Sequence, residues 1–327
     1  MLQYVIRRLL IMIPTLLAIS LVAFIIIQLP PGDYLTTVIT NAAARGETID
    51  PAEVARLERQ YGLDKPIVLQ YFDWLGGLLV GDWGYSFEYN RPVSELIWER
   101  IGWSFVISLL SLLVVWFVAF PLGVFSAVRQ HSWGDYITAF FGFIGLSTPD
   151  FLLALLLLYI SFAWFNQSVG GLFSPEYIDA AWSLARFGDL LAHLWVPLVI
   201  LGTNGIASMT RIMRANLLDE LRKPYVTTAR AKGLTEARLT MKYPVRIAVN
   251  PLVSSSGGLL AGLISGEAIV AVVLSLPTTG PMLLGALRAQ DMYLAASFIM
   301  LLSVLTTIGV LLSDIALAWV DPRIRFG

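Results

Sequence analysis

The chain has 327 residues, of which 57% are hydrophobic and only 14% charged. Soluble domains carry about 25% charged residues, so this chain cannot cover a water-facing surface and most of it must sit in lipid. It has no cysteine, which excludes a disulfide framework and thiolate chemistry, and its two histidines, His131 and His193, lack metal-ligand spacing. Mean hydropathy is +0.73. The net charge of −1 tells less as a total than the positions of its charges do.

Six apolar runs approach the length of about 20 residues that a bilayer-spanning helix needs. They lie near Leu9–Leu29, Trp103–Val128, Tyr136–Phe165, Leu190–Met209, Ile247–Leu276 and Tyr293–Val320. Thr203, Asn204 and Ser208 interrupt the fourth. The first follows Arg7 and Arg8, yet it is too long for the apolar region of a signal peptide and ends in no A-x-A-like site, so it reads as a retained helix. The fold class is therefore an all-α integral membrane protein with six transmembrane helices.

The segment after the first span carries its own helix signals. In "DPAEVARLERQYG", Asp50 reads as N-cap, Pro51 as N1 and Glu53 as N3. Val54, Leu57 and Tyr61 form a narrow apolar stripe, and Gly62 closes the helix. In "PIVLQYFDWLGGLL", Ile67, Tyr71, Trp74, Leu75 and Leu78 fall at helical spacing. Such an aromatic amphipathic helix can lie in a membrane interface. Two readings stand for this loop: a connector packed on its own bundle, or a docking surface for an outside partner.

Orientation follows from Lys and Arg. With the N-terminus inside, the inner segments hold 14 of the 22 basic residues, nine of them between Arg211 and Arg246. Both termini then face the cytoplasm, and the loop after the first span is extracytoplasmic.

The densest basic stretch is "PYVTTARAKGLTEARLTMKYPVR", residues 224–246. A topology signal needs only its charge. Its detail predicts more: Pro224 starts a short helix, Gly233 supplies a left-handed stop, and Thr235 caps a second helix. Tyr225, Thr228 and Ala229 share a face, and the small Thr227, Thr228, Ala229 and Ala231 let another surface approach.

Inside the spans the ionisable residues are Asp135, Asp150, Glu267 and Asp314. Glu267 is the most costly, since a charge near the bilayer centre costs at least ~2.5 kcal/mol. It either lines a polar path or bonds a neighbouring helix. Gly257, Gly258, Gly262 and Gly266 dot the same helix, and small residues let helices pack closely or slide. No G-x-x-x-x-G-K-[ST] is present, so the chain has no P-loop for ATP, and no H-E-x-x-H or Cys cluster offers a metal. The basic stretch is too short and too tied to lipid to argue for nucleic acid; anionic headgroups fit its excess charge.

The run Ala229-Arg230-Ala231-Lys232-Gly233-Leu234 resembles the heart of the EAA loop of binding-protein-dependent ABC importers. The resemblance covers nearly the whole chain. The opening "MLQYVIRRLLIMIPTLLAISLVAFIIIQLPPGD", then "YGLDKPIVLQYFDWL", "GDWGYSF", "STPDF" and the closing "DPRIR" are similar to the dipeptide, oligopeptide and nickel permeases, in the first-subunit arrangement with the long loop after helix one. Two departures stand out. Thr227-Thr228-Ala229 occupies the place of Glu-Ala-Ala, and Leu276-Pro277-Thr278-Thr279-Gly280 that of Trp-Pro-Gly-Leu-Gly.

The resemblance implies a permease subunit forming half of a translocation pore, with an N-terminal helix over 1–31, an extracytoplasmic loop over 32–102, and a five-helix core over 103–327 containing a coupling loop, 211–246, between helices four and five. It implies ATPase coupling through Tyr225, Thr228, Ala229, Arg230, Ala231, Lys232, Gly233 and Leu234. Translocation-path candidates are Glu267, Asp150 and Asn204. The implied partners are a second homologous permease, two ATPase subunits that use ATP and Mg, and an extracytoplasmic solute-binding protein, in a bacterial or archaeal inner membrane. No cofactor is bound by this chain itself. Peptides, nickel chelates and oligosaccharides are the implied solutes. A self-sufficient secondary transporter or channel is the competing class, but no internal repeat supports it.

Overall fold

The computed structural model describes residues 2–29, 34–46, 49–60, 62–167 and 169–320, and leaves aside the side chains of 2–5, 37, 41, 60, 260–261, 263–267 and 318–320. In chain order the elements are α1 (Leu2–Gln28), α2 (Tyr34–Ala44), α3 (Pro51–Gln60), α4 (Ile67–Val80), β1 (Tyr85–Ser86), β2 (Arg91–Pro92), α5 (Val93–Val128), α6 (Trp133–Ser147) and α7 (Asp150–Phe165). There follow α8 (Leu184–Leu221), α9 (Pro224–Ala231), α10 (Glu236–Lys242), α11 (Pro244–Ala248), α12 (Asn250–Val273), α13 (Thr279–Arg288) and α14 (Met292–Val320). The two strands make one antiparallel hairpin, with Tyr85 opposite Pro92 and Ser86 opposite Arg91.

Among the described residues, four helices are long and apolar enough to cross a membrane: Ile6–Gln28, Val93–Val128, Leu184–Leu221 and Met292–Leu317. The third expected span, Tyr136–Phe165, is not one straight helix. It breaks into α6 and α7 with a bend of 105°. Pro149 has no N–H for the helical ladder and disfavours helical backbone in the residue before it, and Thr148 is accordingly extended, at φ −89° and ψ 120°. The fourth span is longer than its polar interruptions predict. α8 runs unbroken through Pro197, Thr203, Asn204 and Ser208, and residues 211–221, expected to begin a loop, are its last three turns. The fifth expected span falls on α12, whose 24 residues rise about 36 Å.

The chain divides into two compact units. One comprises Ile6–Trp103 and Thr278–Thr307. Its core gathers Phe24, Trp74, Phe87, Ile97, Met282, Met292 and Phe298. Residues 278–307, read along the sequence as part of the five-helix core, group here because Met292–Phe298 pack with Trp74 and Phe24. Within this unit Asp50 caps α3, its Oδ1 accepting from the Ala52 N–H at 2.9 Å. Tyr61, expected in the stripe of that helix, lies outside the described residues. One face of α4 is packed: Trp74 is buried and its Nε1 donates to Ser297 Oγ at 3.0 Å, while Tyr71 sits edge-on to Phe24. Ile67, expected on that face, is exposed.

The other unit comprises Met1–Val5, Ser104–Pro277 and Ile308–Gly327. Val115, Ala119, Met209, Met213, Leu217, Val245 and Leu252 form a core among α5, α8, α11 and α12. Three polar ties cross it. Trp116 Nε1 donates to Ser256 Oγ at 2.9 Å. Ser313 Oγ bonds the Val253 and Ser254 carbonyls. Arg214 grips Asp135 with two bonds of 2.7 Å, from Nε and from one terminal nitrogen. Asp135 is buried, and it also accepts from the His131 N–H at 3.0 Å.

Candidate functional site

The basic segment forms a helix–turn–helix. α9 begins at Pro224, where the missing N–H is no loss, and ends at Ala231, with Lys232 as its C-cap. Gly233 follows at φ +79°, with open space where a Cβ would stand. Its N–H donates to the Arg230 carbonyl at 3.0 Å, and the Lys232 N–H to the Thr228 carbonyl at 3.1 Å. Thr235 occupies the N-cap of α10, though its side chain makes no capping bond.

What fixes α9 is an inner face that the sequence reading did not single out. Val226 is fully buried. Glu220, near the end of α8, accepts from the Tyr225 hydroxyl at 2.7 Å and pairs with Lys223. Burial, and then this bond to Glu220, push the Tyr225 phenol above its ordinary range. Glu220 with Lys223 three residues on was a readable helix-pair signal; the reach to Tyr225 was not. Arg230 pairs with Glu236 across the turn, and that bond holds the Glu236 carboxyl below its usual range.

The outer face of α9 is therefore presented on a rigid base. Thr227, Thr228, Arg230, Ala231, Lys232 and Gly233 are exposed, while Tyr225, Ala229 and Leu234 are half-buried. Thr228 bonds its own helix, donating to the Pro224 carbonyl at 3.1 Å, so its hydroxyl is satisfied without a partner. The eight residues expected to act together are brought together, on two faces: one anchoring and one displayed.

A second feature lies where α7 starts after the bend. A cavity of about 260 Å³ is lined by α5, α7, α8 and α12 through Leu112, Val115, Asp150, Leu201, Asn204 and Ser208, with Gly258 and Gly262 on the α12 side. Two of the three path candidates, Asp150 and Asn204, thus share one cavity. The backbone of the third, Glu267, lies in α12, but its side chain is outside the described residues, as is Gly266. The glycines of α12 divide into two kinds. A Cβ at Gly257 would meet the Gly309 carbonyl oxygen at 2.6 Å, whereas one at Gly258 or Gly262 would meet nothing within 4 Å. Gly257 permits close packing on α14; Gly258 and Gly262 leave space open.

Among the described residues, no group of three or more His, Asp or Glu could hold a metal. The arrangement offers a solute-sized cavity between apolar helices and a small-faced helix held out for contact. Such a molecule is an all-helical membrane transport subunit. More specifically, the chain belongs to the family of binding-protein-dependent transport system inner membrane components, whose model matches residues 119–326. The model of the N-terminal part of such membrane components matches residues 1–110.

Relatives agree over full length. The oligopeptide transport system permease protein AppB of Bacillus subtilis is 33% identical, covering 100% of both chains. The dipeptide transport system permease protein DppB of Escherichia coli K12 is 31% identical over 99% of each. The peptidoglycan transport system permease protein YejB of Agrobacterium fabrum is 27% identical over 99% of this chain and 98% of its own. The chain is a permease subunit of an ABC importer. Membership implies, in general terms, an ATPase and a binding protein as partners.

Proposed function

We infer that this subunit forms half of an import path for peptides, opposite a second homologous permease. It lies in an inner membrane with both termini in the cytoplasm. Two ATPase subunits, using ATP and Mg, bind the cytoplasmic loops of the two permeases, one of them docking on the displayed face of α9, and a binding protein delivers solute on the other side. The names of the full-length relatives support peptides as the solute class. The excess of Lys and Arg in the segments assigned to the cytoplasm supports the orientation.

The observation that carries the coupling role is the construction of α9. Its inner face is pinned by Val226 and by Glu220 bonding Tyr225, and its outer face is small and ends at a glycine of positive φ. A helix fixed in this way transmits a push without bending. Closure of the ATPases then moves α8 with α9 as one body and switches the opening of the path. Asp150, Asn204 and Glu267 are assigned to that path. The capped helix α3 and the exposed residues of α4 are assigned to contact with the binding protein.

Cross-linking tests the reading. A cysteine at Ala231, in a chain with no natural cysteine, should form a disulfide with cysteines placed along a groove of the ATPase subunit, and the yield should change with ATP. Absence of any cross-link in an assembled, active complex would remove α9 from that interface.

A further inference from the structure

The geometry points to Asp150 as the acceptor for a protonated amine on the travelling solute, so that the cavity favours solutes with a free ammonium group. This deepens the import reading above and rests on it. Among the described residues that line it, the cavity holds one carboxylate and no Lys, Arg or His. Among the described residues no hydrogen bond or ion pair reaches the Asp150 carboxylate. By contrast, Asp135 in the same unit is gripped by Arg214. An unpaired carboxylate in an apolar wall is costly unless a cation joins it.

The remaining polar lining fits the same guest. Asn204 and Ser208 are four residues apart on α8 and so share a face. An ammonium carries three N–H donors and no acceptor. One carboxylate, one amide oxygen and one hydroxyl are three acceptors. The size also fits: about 260 Å³ is below the range of roughly 300–1,000 Å³ typical for drug-sized ligands, enough for the amino end of a short peptide. Open space beside Gly258 and Gly262 leaves the cavity unfilled. Asp150 is also the first residue of α7, where an acid complements the helix dipole. That role explains a carboxylate at this position but requires no cavity in front of it.

The test uses the complete transporter, with both permeases, ATPases and binding protein, in ATP-loaded proteoliposomes. The probes are dialanine and N-formyl-dialanine, each at a concentration that saturates the binding protein. Wild type should carry dialanine at least tenfold faster than the formylated form. Asp150→Asn should lose about tenfold in dialanine uptake, the scale of one charge-assisted hydrogen bond, and the preference for the free amine should shrink with it. ATP hydrolysis stimulated by loaded binding protein should persist, so that peptide carried per ATP falls. Asp150→Glu should restore uptake to within about threefold, and Asn204→Ala should give an intermediate loss. Equal uptake by wild type and Asp150→Asn would overturn the inference and leave the importer reading intact. So would parallel loss of uptake, ATPase and thermal midpoint, which marks a role in folding only. No uptake of any peptide by wild type would overturn the import reading itself, and the inference with it.

Discussion

Ser86 Oγ donates to Asp291 Oδ2 at 2.5 Å, joining the β hairpin to the residue just before α14, in a unit where both side chains are fully buried. Asp291 also accepts from the Glu88 N–H at 3.1 Å and, through Oδ1, from the Leu294 N–H at 3.2 Å. It caps the helix and anchors the hairpin at once. Burial pushes its carboxyl above the ordinary range, although these bonds pull the other way. Removing the hydroxyl leaves a buried acceptor short of a donor, which costs roughly 1–3 kcal/mol. Ser86→Ala should lower the thermal midpoint of the purified chain accordingly; an unchanged midpoint would show that the bond contributes nothing.

The same carboxyl sets a pH dependence. A folded-state value raised above the unfolded one means that the native form holds its proton longer. The stabilising contribution is full below the unfolded value of about 3.9 and is lost as pH rises through the raised value. Asn at this position keeps a capping oxygen and does not titrate. The midpoint of Asp291→Asn minus that of wild type should therefore increase between pH 4 and pH 7. A difference that is flat or falls with pH contradicts the assignment.

Asp135 and Arg214 make a different kind of pair. Breaking a buried pair by removing one partner typically costs 3–5 kcal/mol, while replacing both with apolar residues is often neutral. Arg214 keeps part of its surface exposed, at 31% of its side chain, so the lower end applies. Asp135→Leu should cost about 3 kcal/mol, and Asp135→Leu combined with Arg214→Met should recover most of it in chemical unfolding. Additive losses would mean that the two side chains act independently.

Orientation has a simple test. Cysteines at Glu53, in α3, and at Glu236, in α10, should label with a membrane-impermeant maleimide from opposite sides of sealed vesicles. Labelling of both from one side would overturn the odd number of crossings between them, and labelling of position 236 from the extracytoplasmic side would overturn the placement of both termini in the cytoplasm.

Much of this was legible in the sequence because the signals were local. Pro224 and Gly233 bounded α9, and Asp50 with Pro51 opened α3, because caps and stops act within a few residues. The apolar runs gave the long helices for the same reason. The bend at Pro149 was also written locally, in Thr-Pro, but hydropathy averaged over a window cannot see a 105° turn between two apolar arms. What could not be read were long-range partners. Asp135 and Arg214 are 79 positions apart, and Ser86 and Asp291 are 205 apart. Neither pair has a periodicity to betray it. The meeting of Asp150 with Asn204 is of this kind: each was a polar residue in an apolar span, and only the crossing of α7 and α8 puts them in one cavity.

The glycines of α12 show how space, rather than residue type, decides an outcome. A Cβ at Gly257 would press on the Gly309 carbonyl and the Val310 backbone at 2.6 and 2.8 Å, and backbone cannot step aside. Gly257→Ala should destabilise by about 1–3 kcal/mol, as overpacking does. Gly258→Ala meets nothing within 4 Å, and Ala is favoured over Gly in a helix by roughly 0.5–1 kcal/mol. Its thermal midpoint should hold or rise. The same sign for both variants would mean that α12 does not pack on α14 in this register.

The displayed helix carries the most demanding prediction, because it separates charge from shape. Gly233 sits at φ +79° in open space, so a side chain there meets backbone strain and no neighbour. The strain is roughly 1–2 kcal/mol for a residue with a Cβ and greater with β-branching, while Asn tolerates this region. Gly233→Val should then lose ATPase stimulation and transport, and Gly233→Asn should retain most of both. Thr228→Trp adds bulk to the exposed face without altering charge and should block a close-approaching partner. Lys232→Gln removes an exposed charge, and an exposed ion pair is worth under ~1 kcal/mol, so it should have the smallest effect of the four. All four should insert with normal topology, since none of these side chains reaches the inner face held by Val226. If Lys232→Gln is instead the damaging change while Gly233→Val is silent, then the basic segment acts through its charge alone, and α9 does not transmit the motion of the ATPase.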